Sequence, residues 1–203
     1  MSSQQPLVRV VDDDESVRRS VGELLRSVGF TVASYGSAQD FLATDKPETP
    51  GCLVLDVHLP GLTGLDLQQE LTGTERALPI VFLTGQGDIP MSVRAIKSGA
   101  VEFLTKPFDT RTLLDAVRHA VEKDREERAE RKDLIALQAR YVSLTPRERE
   151  VMQRIIAGRM NKQIAAEFGT SEPTVKEQRA QVMQKMQAES LVTLALMAKR
   201  LGL

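Results

Sequence analysis

Apolar positions in the first 120 residues alternate between short unbroken runs and stripes at helical spacing. Val8, Val10 and Val11 form a strand-like run, after which Val17, Val21, Leu24, Leu25 and Val28 recur at helical intervals until Gly29 supplies a stop. The strand-then-helix unit repeats four more times. Thr31 to Tyr35 precedes a helix from Ser37, where Asp40 completes a capping-box-like start; Cys52 to Leu55 precedes Gly64 to Leu71; Ile80 to Leu83 precedes Ile89 to Lys97; Val101 to Leu104 precedes Thr110 to Val121. Runs such as Cys52 to Leu55 and Ile80 to Leu83 have no polar alternation and must be covered on both faces. The pattern therefore predicts an α/β fold, a doubly wound five-stranded parallel sheet with helices on either side. Ligands of such sheets collect at the carboxyl ends of the strands, so chemistry is expected just after residues 11, 55, 83 and 104.

Past residue 121 the pattern changes. Residues 122–133 have no apolar face but carry i,i+4 pairs such as Lys123/Glu127, Asp124/Arg128 and Glu127/Arg131, which describes a solvated helical linker. Leu134, Leu137, Tyr141 and Leu144 then return at helical spacing. Two turns are short for a coiled-coil seam, and packing against the next domain is favoured over a dimer contact. Thr145 as N-cap, Pro146 and Glu148 open a helix whose apolar face is Val151, Ile155 and Ile156, stopped by Gly158. Asn161 or a neighbour starts a second, with Ile164, Ala165 and Phe168 inward and Gly169 at its end. Ser171 caps a third from Glu172 to Met186, with Val175, Val182, Met183 and Met186 on one side. Short helices joined by a glycine turn form a helix-turn-helix, whose second helix enters the DNA major groove. The expected organisation is a domain over 7–121, a charged helical linker over 122–140 and a small all-α domain over 141–203.

Composition narrows the class. With 203 residues, 41% hydrophobic and 27% charged, the chain reads as an ordinary globular protein. No apolar run approaches the ~20 residues of a membrane span. The polar start Met1 to Pro6 lacks the pattern of a secretory signal, so the cytoplasm is the expected location and no membrane partner is expected. The single Cys52 sits in an apolar run and reads as a buried, inert thiol. Charge divides by region: residues 1–140 carry 17 Lys/Arg against 22 Asp/Glu, whereas 141–203 carry 10 against 6, so the C-terminal part suits a polyanion.

At the strand ends stand Asp12, Asp13, Asp14 and Glu15, then Asp56, then Thr84, then Lys106 and Pro107. Clustered carboxylates resist ionisation unless a cation joins them. Oxygen ligands without His or Cys favour a hard ion, Mg²⁺ before Ca²⁺. In that setting an Asp can act as a nucleophile, with the ammonium of Lys106 and the hydroxyl of Thr84 serving phosphoryl oxygens. Each part alone has a plain structural role, a helix cap or a loop residue; their joint placement after successive strands points to phosphoryl transfer onto a carboxylate. Thr84-Gly-Gln-Gly-Asp88 lacks the Gly-Lys-Ser/Thr ending of a nucleotide loop. A competing enzyme reading makes Asp12 the nucleophile of a haloacid-dehalogenase-type phosphatase, but it leaves Asp56 unexplained and lacks the later acidic pair.

Val10-Val-Asp-Asp-Asp14, Asp56-Val-His-Leu-Pro-Gly61, Thr84-Gly-Gln-Gly-Asp88 and Lys106-Pro-Phe108 resemble the signatures of two-component receiver domains, in order, over about residues 7–121. The resemblance implies that Asp56 accepts the phosphoryl group. Mg²⁺ is then held by Asp13 directly, by Asp12 directly or through water, by Asp56 and by the backbone carbonyl of His58. Thr84 and Lys106 read out the phosphate, Phe103 stands at the switch-aromatic position, and the Lys106-Pro107 bond is expected to be cis. The imidazoles of His58 and His119 are given no role. Leu59 stands where Met is commoner, a volume-conserving change.

Leu144-Thr-Pro-Arg-Glu-Arg-Glu150, Asn161-Lys-Gln-Ile-Ala165 and Thr174-Val-Lys-Glu-Gln-Arg-Ala180 resemble the LuxR-type DNA-binding domain. The whole chain is similar to response regulators of the NarL/FixJ class, nearest the FixJ group by Gly87-Asp-Ile-Pro-Met91 and Val182-Met-Gln-Lys-Met186. By that pattern Lys176, Glu177 and Ala180 face bases, and Lys162, Thr174 and Arg179 lie near phosphates. Glu177-Gln178 departs from the commoner Val-His; the carboxylate either accepts from a cytosine amino group or excludes unfavourable sites. The function implied is a phosphorylation-dependent transcriptional regulator, an activator rather than an enzyme. Its implied partners are a sensor histidine kinase, promoter DNA, RNA polymerase and a second copy of itself. A DNA-binding protein that dimerises without phosphorylation is the alternative.

Overall fold

The computed structural model describes residues 5–45, 49–74, 77–85 and 89–203, and the chain divides into two compact units, Met1–Arg128 and Ala129–Leu203. Gln86, Gly87 and Asp88, which carry part of two of the motifs above, lie outside the described residues.

In the first unit the strands are β1 (Leu7–Val11), β2 (Thr31–Tyr35), β3 (Gly51–Asp56), β4 (Ile80–Thr84) and β5 (Glu102–Thr105). They alternate with α1 (Glu15–Ser27), α2 (Ala38–Thr44), α3 (Gly64–Leu71), α4 (Ile89–Lys97) and the start of α5 (Thr110–Val142). All four strand pairings are parallel, in the order β2-β1-β3-β4-β5. The two-residue side-chain period splits each strand between two apolar layers. Val8, Val10, Cys52, Val54, Val81 and Leu83 meet residues of α1 and α5, while Val11, Leu53, Leu55, Ile80 and Phe82 meet residues of α2, α3 and α4. Burial pushes the Cys52 thiol up to about 12, consistent with an inert core residue.

Register then decides where the polar residues gather. Val11 is opposite Leu55, Asp56 opposite Leu83, and Thr84 opposite Thr105. Asp12, Asp56, Thr84 and Lys106 therefore meet at one carboxyl edge.

Two features differ from the pattern-based expectation. The helix expected over Thr110 to Val121 and the helical linker expected after it form one continuous 33-residue element, with no break between them. Such a helix needs no apolar face there, because i,i+3 and i,i+4 pairs sustain it: Arg125–Glu122 at 2.9 Å, Lys123–Glu127 at 3.9 Å and Arg128–Asp124 at 2.8 Å. Asp124 is no solvated linker residue, being 2% exposed with Oδ2 accepting the Gly51 N–H at 2.7 Å. The second is Arg9, read only as part of a strand and in fact fully buried. Its Nε donates to Asp45 Oδ1 at 2.6 Å and its terminal nitrogens to the carbonyls of Leu7 and Thr49. Paired and bonded in this way, the charge is tolerated in the core.

In the second unit Leu137 and Leu144 are buried with Val151, Met152, Ile164, Val175, Val182 and Met186, and Tyr141 packs against the same cluster. The stripe at the end of α5 thus packs into the C-terminal core. The helices α6 (Pro146–Ile156), α7 (Asn161–Phe168) and α8 (Glu172–Met186) follow the sequence pattern, and a fourth, α9 (Leu191–Arg200), was not anticipated. Its signals were present in Ser190, which caps Thr193 N, and in Leu194 and Ala198 facing the core.

Candidate functional site

Each acidic side chain is placed by the end of a strand. Asp12 follows β1 and is 1% exposed; Asp56 closes β3 and is 6% exposed. Asp13 is exposed in the loop between β1 and α1. Carboxylate oxygens of these three residues lie within 4.8 Å of one another, and the open depression around them is completed by Asp14, His58, Gly85 and Lys106. Asp14 serves the fold as N-cap of α1, accepting from the N–H groups of Ser16 and Val17.

Lys106 reaches into this edge from the end of β5, after which the Lys106-Pro107 bond is cis. Its Nζ lies 2.6 Å from Asp12 Oδ2 and 3.4 Å from Asp56 Oδ1. Asp12 Oδ1 accepts the Asp14 N–H at 3.0 Å, so both oxygens of Asp12 are engaged. Asp56 Oδ1 is buried without a hydrogen-bond partner. An orphaned carboxylate oxygen beside two further carboxylates, in an oxygen-only set, fits a divalent cation of the hard class. Asp12 and Asp13 can complete such a site with Asp56.

Burial pushes the Asp12 carboxyl above the usual 3.8, and the hydrogen bond and charge of Lys106 offset this only in part. For Lys106 burial works toward neutrality, but the bond to Asp12 and the charges of Asp12 and Asp56 prevail and hold it above 10.5. The sign of the Asp12 shift sets a stability prediction. A carboxyl raised in the folded state disfavours folding once ionised, a cost that enters as pH rises from 3.8 through its folded value. At neutral pH in metal-free buffer Asp12→Asn is therefore expected to raise the unfolding midpoint, the neutral side chain escaping the burial cost that outweighs the Lys106 ion pair. Calorimetry showing a lower midpoint would refute it.

Thr84 is fully buried at the end of β4, with Oγ1 3.4 Å from Nδ1 of the exposed His58. Phe103, half-buried on β5, packs against Phe82 with ring centroids 6.1 Å apart. His119 is exposed on α5. The sequence reading missed Arg18. From the second turn of α1 its Nη1 donates back to the carbonyls of Asp12 at 2.6 Å and Asp13 at 2.8 Å, fixing the loop that presents both carboxylates. A cation one turn inside a helix that opens on an acidic loop was the available signal.

In the C-terminal unit α7 and α8 are joined by the turn at Gly169, and Ser171 caps α8 by accepting from Thr174 N. Lys162, Thr174, Lys176, Glu177 and Ala180 are exposed. Arg179 is half-buried and donates to Asn161 Oδ1 at 3.1 Å, which ties α8 to α7. Met186 is fully buried and Met183 packs against the same core. Lys185 adds a second tie, holding both oxygens of Glu148 at 2.8 and 2.7 Å. Val175 and Val182 face inward, so the outer side of α8 carries side chains that can meet a groove.

Residues 8–118 match the response regulator receiver domain and residues 142–198 match the bacterial regulatory proteins of the luxR family. The chain is 50% identical over 202 residues to nodulation protein W of Bradyrhizobium diazoefficiens, covering all of this chain and 89% of that protein. It is 42% identical to the transcriptional regulatory protein FixJ of the same organism, covering 97% and 96% of the two chains. Among solved structures, the response regulator StyR superposes with a TM-score of 0.86 at 47% identity, covering 97% of this chain and 99% of that one. Full-length FixJ from B. japonicum gives 0.59 at 40% identity, covering 98% of each.

Proposed function

Because the chain belongs to the two-component response regulators that couple a receiver domain to a LuxR-type DNA-binding domain, we propose that Asp56 is its phosphoryl acceptor and that phosphorylation drives dimerisation and promoter binding. The observation that carries this reading is the buried Asp56 Oδ1, which makes no hydrogen bond but stands 3.4 Å from Lys106 Nζ and among the carboxylates of Asp12 and Asp13. Asp12, Asp13, Asp56 and the His58 carbonyl would hold a Mg²⁺, which would supply positive charge for the phosphoryl oxygens. An Asp56 oxygen attacks phosphorus of a kinase phosphohistidine, the P–N bond breaks, and the imidazole leaves as the acyl phosphate forms. Lys106 shifts from Asp12 toward the new oxygens. Thr84 donates its hydroxyl to another, and Phe103 turns into the space Thr84 leaves.

Asp12 is poorly suited to be the nucleophile of a phosphatase, since both its oxygens are already bonded. The rearranged surface of α4 and β5, where Val93 and Ile96 are exposed, pairs with a second copy. Coupling two α8 helices then adds two weak half-site interactions. Lys176, Glu177 and Ala180 face bases, while Lys162, Thr174 and Arg179 approach phosphates. The output is activation of transcription through RNA polymerase in the cytoplasm. No helix among the described residues is long and apolar enough to cross a membrane.

Sedimentation of the full chain with Mg²⁺ and beryllofluoride tests this reading, together with binding to a duplex selected by the protein from a random library. Conversion of monomer to dimer and about tenfold or greater tightening on DNA is expected. Unchanged mass and affinity would leave a DNA-binding regulator that works without phosphorylation.

A further inference from the structure

Gln68 lies on α3, 3% exposed, in the apolar layer between α3 and α4 that contains Leu67, Leu71, Ala95 and Ala100. Its amide Nε2 donates to two carbonyls, Ala95 at 3.1 Å and Ser98 at 3.2 Å. These belong to the end of α4 and the turn after it. Ala95 O also accepts the Ala100 N–H at 3.1 Å, and Ile96 O accepts the Gly99 N–H at 2.9 Å, closing the helix. Val101 then donates to Ile80 O at 2.8 Å and the chain enters β5. One side chain thus ties α3 to both the last turn of α4 and the approach to β5.

A buried amide is costly unless its hydrogens are used, and here both are. Apolar packing alone tolerates sliding of one helix against another, whereas two directed bonds to carbonyls three residues apart select one position of the helix end. That end carries Ile96, which with Val93 is about half exposed on the outer face of α4 (44% and 45%). Gln68 shares a depression with Pro79 and Ile80 at the amino end of β4, whereas the acidic residues gather at the carboxyl ends of the strands. It can therefore act on the presented surface without touching the phosphoryl chemistry.

We infer that Gln68 is a positioning residue: it keeps the carboxyl end of α4 fixed while phosphorylation rearranges the face ahead of it, so that Val93 and Ile96 reach the arrangement a second copy of the chain recognises. This rests on the reading of α4 and β5 as the phosphorylation-dependent dimer surface. Nothing in the sequence pattern marks the residue, because its partners stand 27 and 30 positions away.

The experiment is sedimentation equilibrium of the full chain in Mg²⁺ and beryllofluoride, comparing wild type, Gln68→Met and Ile96→Glu. Methionine keeps the length and suits the apolar surroundings while removing both donors. The Gln68→Met dimer is expected to be weaker by about tenfold. Its Mg²⁺ affinity and its rate of labelling by acetyl phosphate should stay within about twofold of wild type, as for a distant site. A residue serving stability alone would lower the unfolding midpoint and leave the dimer constant of the folded protein unmoved. Should Gln68→Met dimerise like wild type while Ile96→Glu does not, the anchoring role is overturned. If Ile96→Glu dimerises normally, or wild type forms no dimer, it is the underlying surface assignment that fails. Should Gln68→Met not fold, amide exchange of wild type decides: residues 96–101 are expected to stay protected on adding beryllofluoride, and their release would overturn the proposal.

Discussion

Asp56→Asn is expected to abolish the response of the protein to phosphoryl donors while leaving its fold intact. Asparagine has the shape of the carboxylate it replaces but is a far weaker nucleophile, and it removes one of three charges crowded within 4.8 Å. Mass spectrometry after incubation with Mg²⁺ and acetyl phosphate should find a hydroxylamine-labile phosphoryl adduct on wild-type Asp56 and none on the variant. The gain in DNA affinity on adding beryllofluoride, about tenfold or more in wild type, should fall below about twofold. Basal DNA affinity should not move, because Lys176 and its neighbours belong to the other unit. Folding should be as stable or slightly more so, since a buried oxygen that makes no hydrogen bond and shares Lys106 with Asp12 is replaced by a neutral atom. An adduct that persists at another carboxylate in Asp56→Asn, with the DNA response retained, would move the acceptor elsewhere and sink the assignment.

The acidic edge was legible because of how a parallel sheet works. Strand ends that follow apolar runs come together whatever lies between them, so Asp12, Asp56, Thr84 and Lys106 could be grouped from spacing alone and the register bears this out. The helix starts at Thr145 and Ser171 were legible for a similar reason, since capping is local and its partners stand three residues apart. What escaped notice depends on partners far along the chain. Arg9 finds Asp45 36 residues on and Asp124 finds Gly51 73 residues back, and no periodicity announces either. Asp124 was hidden further by its setting. In a run of alternating charges it reads as one more solvated i,i+4 partner of Arg128, and the ion pair does form, yet the carboxylate is buried. Charge pairs mark 122–133 as helical, but the loss of the apolar face after Val121 reads as a boundary between two helices, whereas the backbone runs on as one from Thr110 to Val142.

That buried carboxylate leads to the other large expected effect, at Gly51. β3 begins here with a φ of 153°, and a Cβ placed on it would stand 1.9 Å from the carbonyl oxygen of Leu7 and 2.7 Å from its carbon. The atoms it meets are backbone of β1, paired with β3 through Leu7 opposite Gly51, so they cannot swing aside as a side chain would. Close approach also allows the Gly51 N–H to reach Asp124 Oδ2 at 2.7 Å, joining the first residue of β3 to the helix that leads out of the receiver. Gly51→Ala must therefore break the β1–β3 pairing at its start and pull the amide from a buried carboxylate. The expected loss is about 4 kcal/mol or more, in the exceptional range for a single substitution. Gly29→Ala isolates the backbone strain from the steric clash, because its φ is also positive (93°) but nothing lies within 4 Å of the added carbon; it should cost about 1–2 kcal/mol. Asp124→Ala should fall between them, leaving the space and removing the acceptor. Urea titration followed by amide exchange within β1 and β3 would rank the three. If Gly51→Ala protects those amides as well as wild type does, the Leu7 carbonyl can withdraw, and the missing side chain is not what holds the two strands so close.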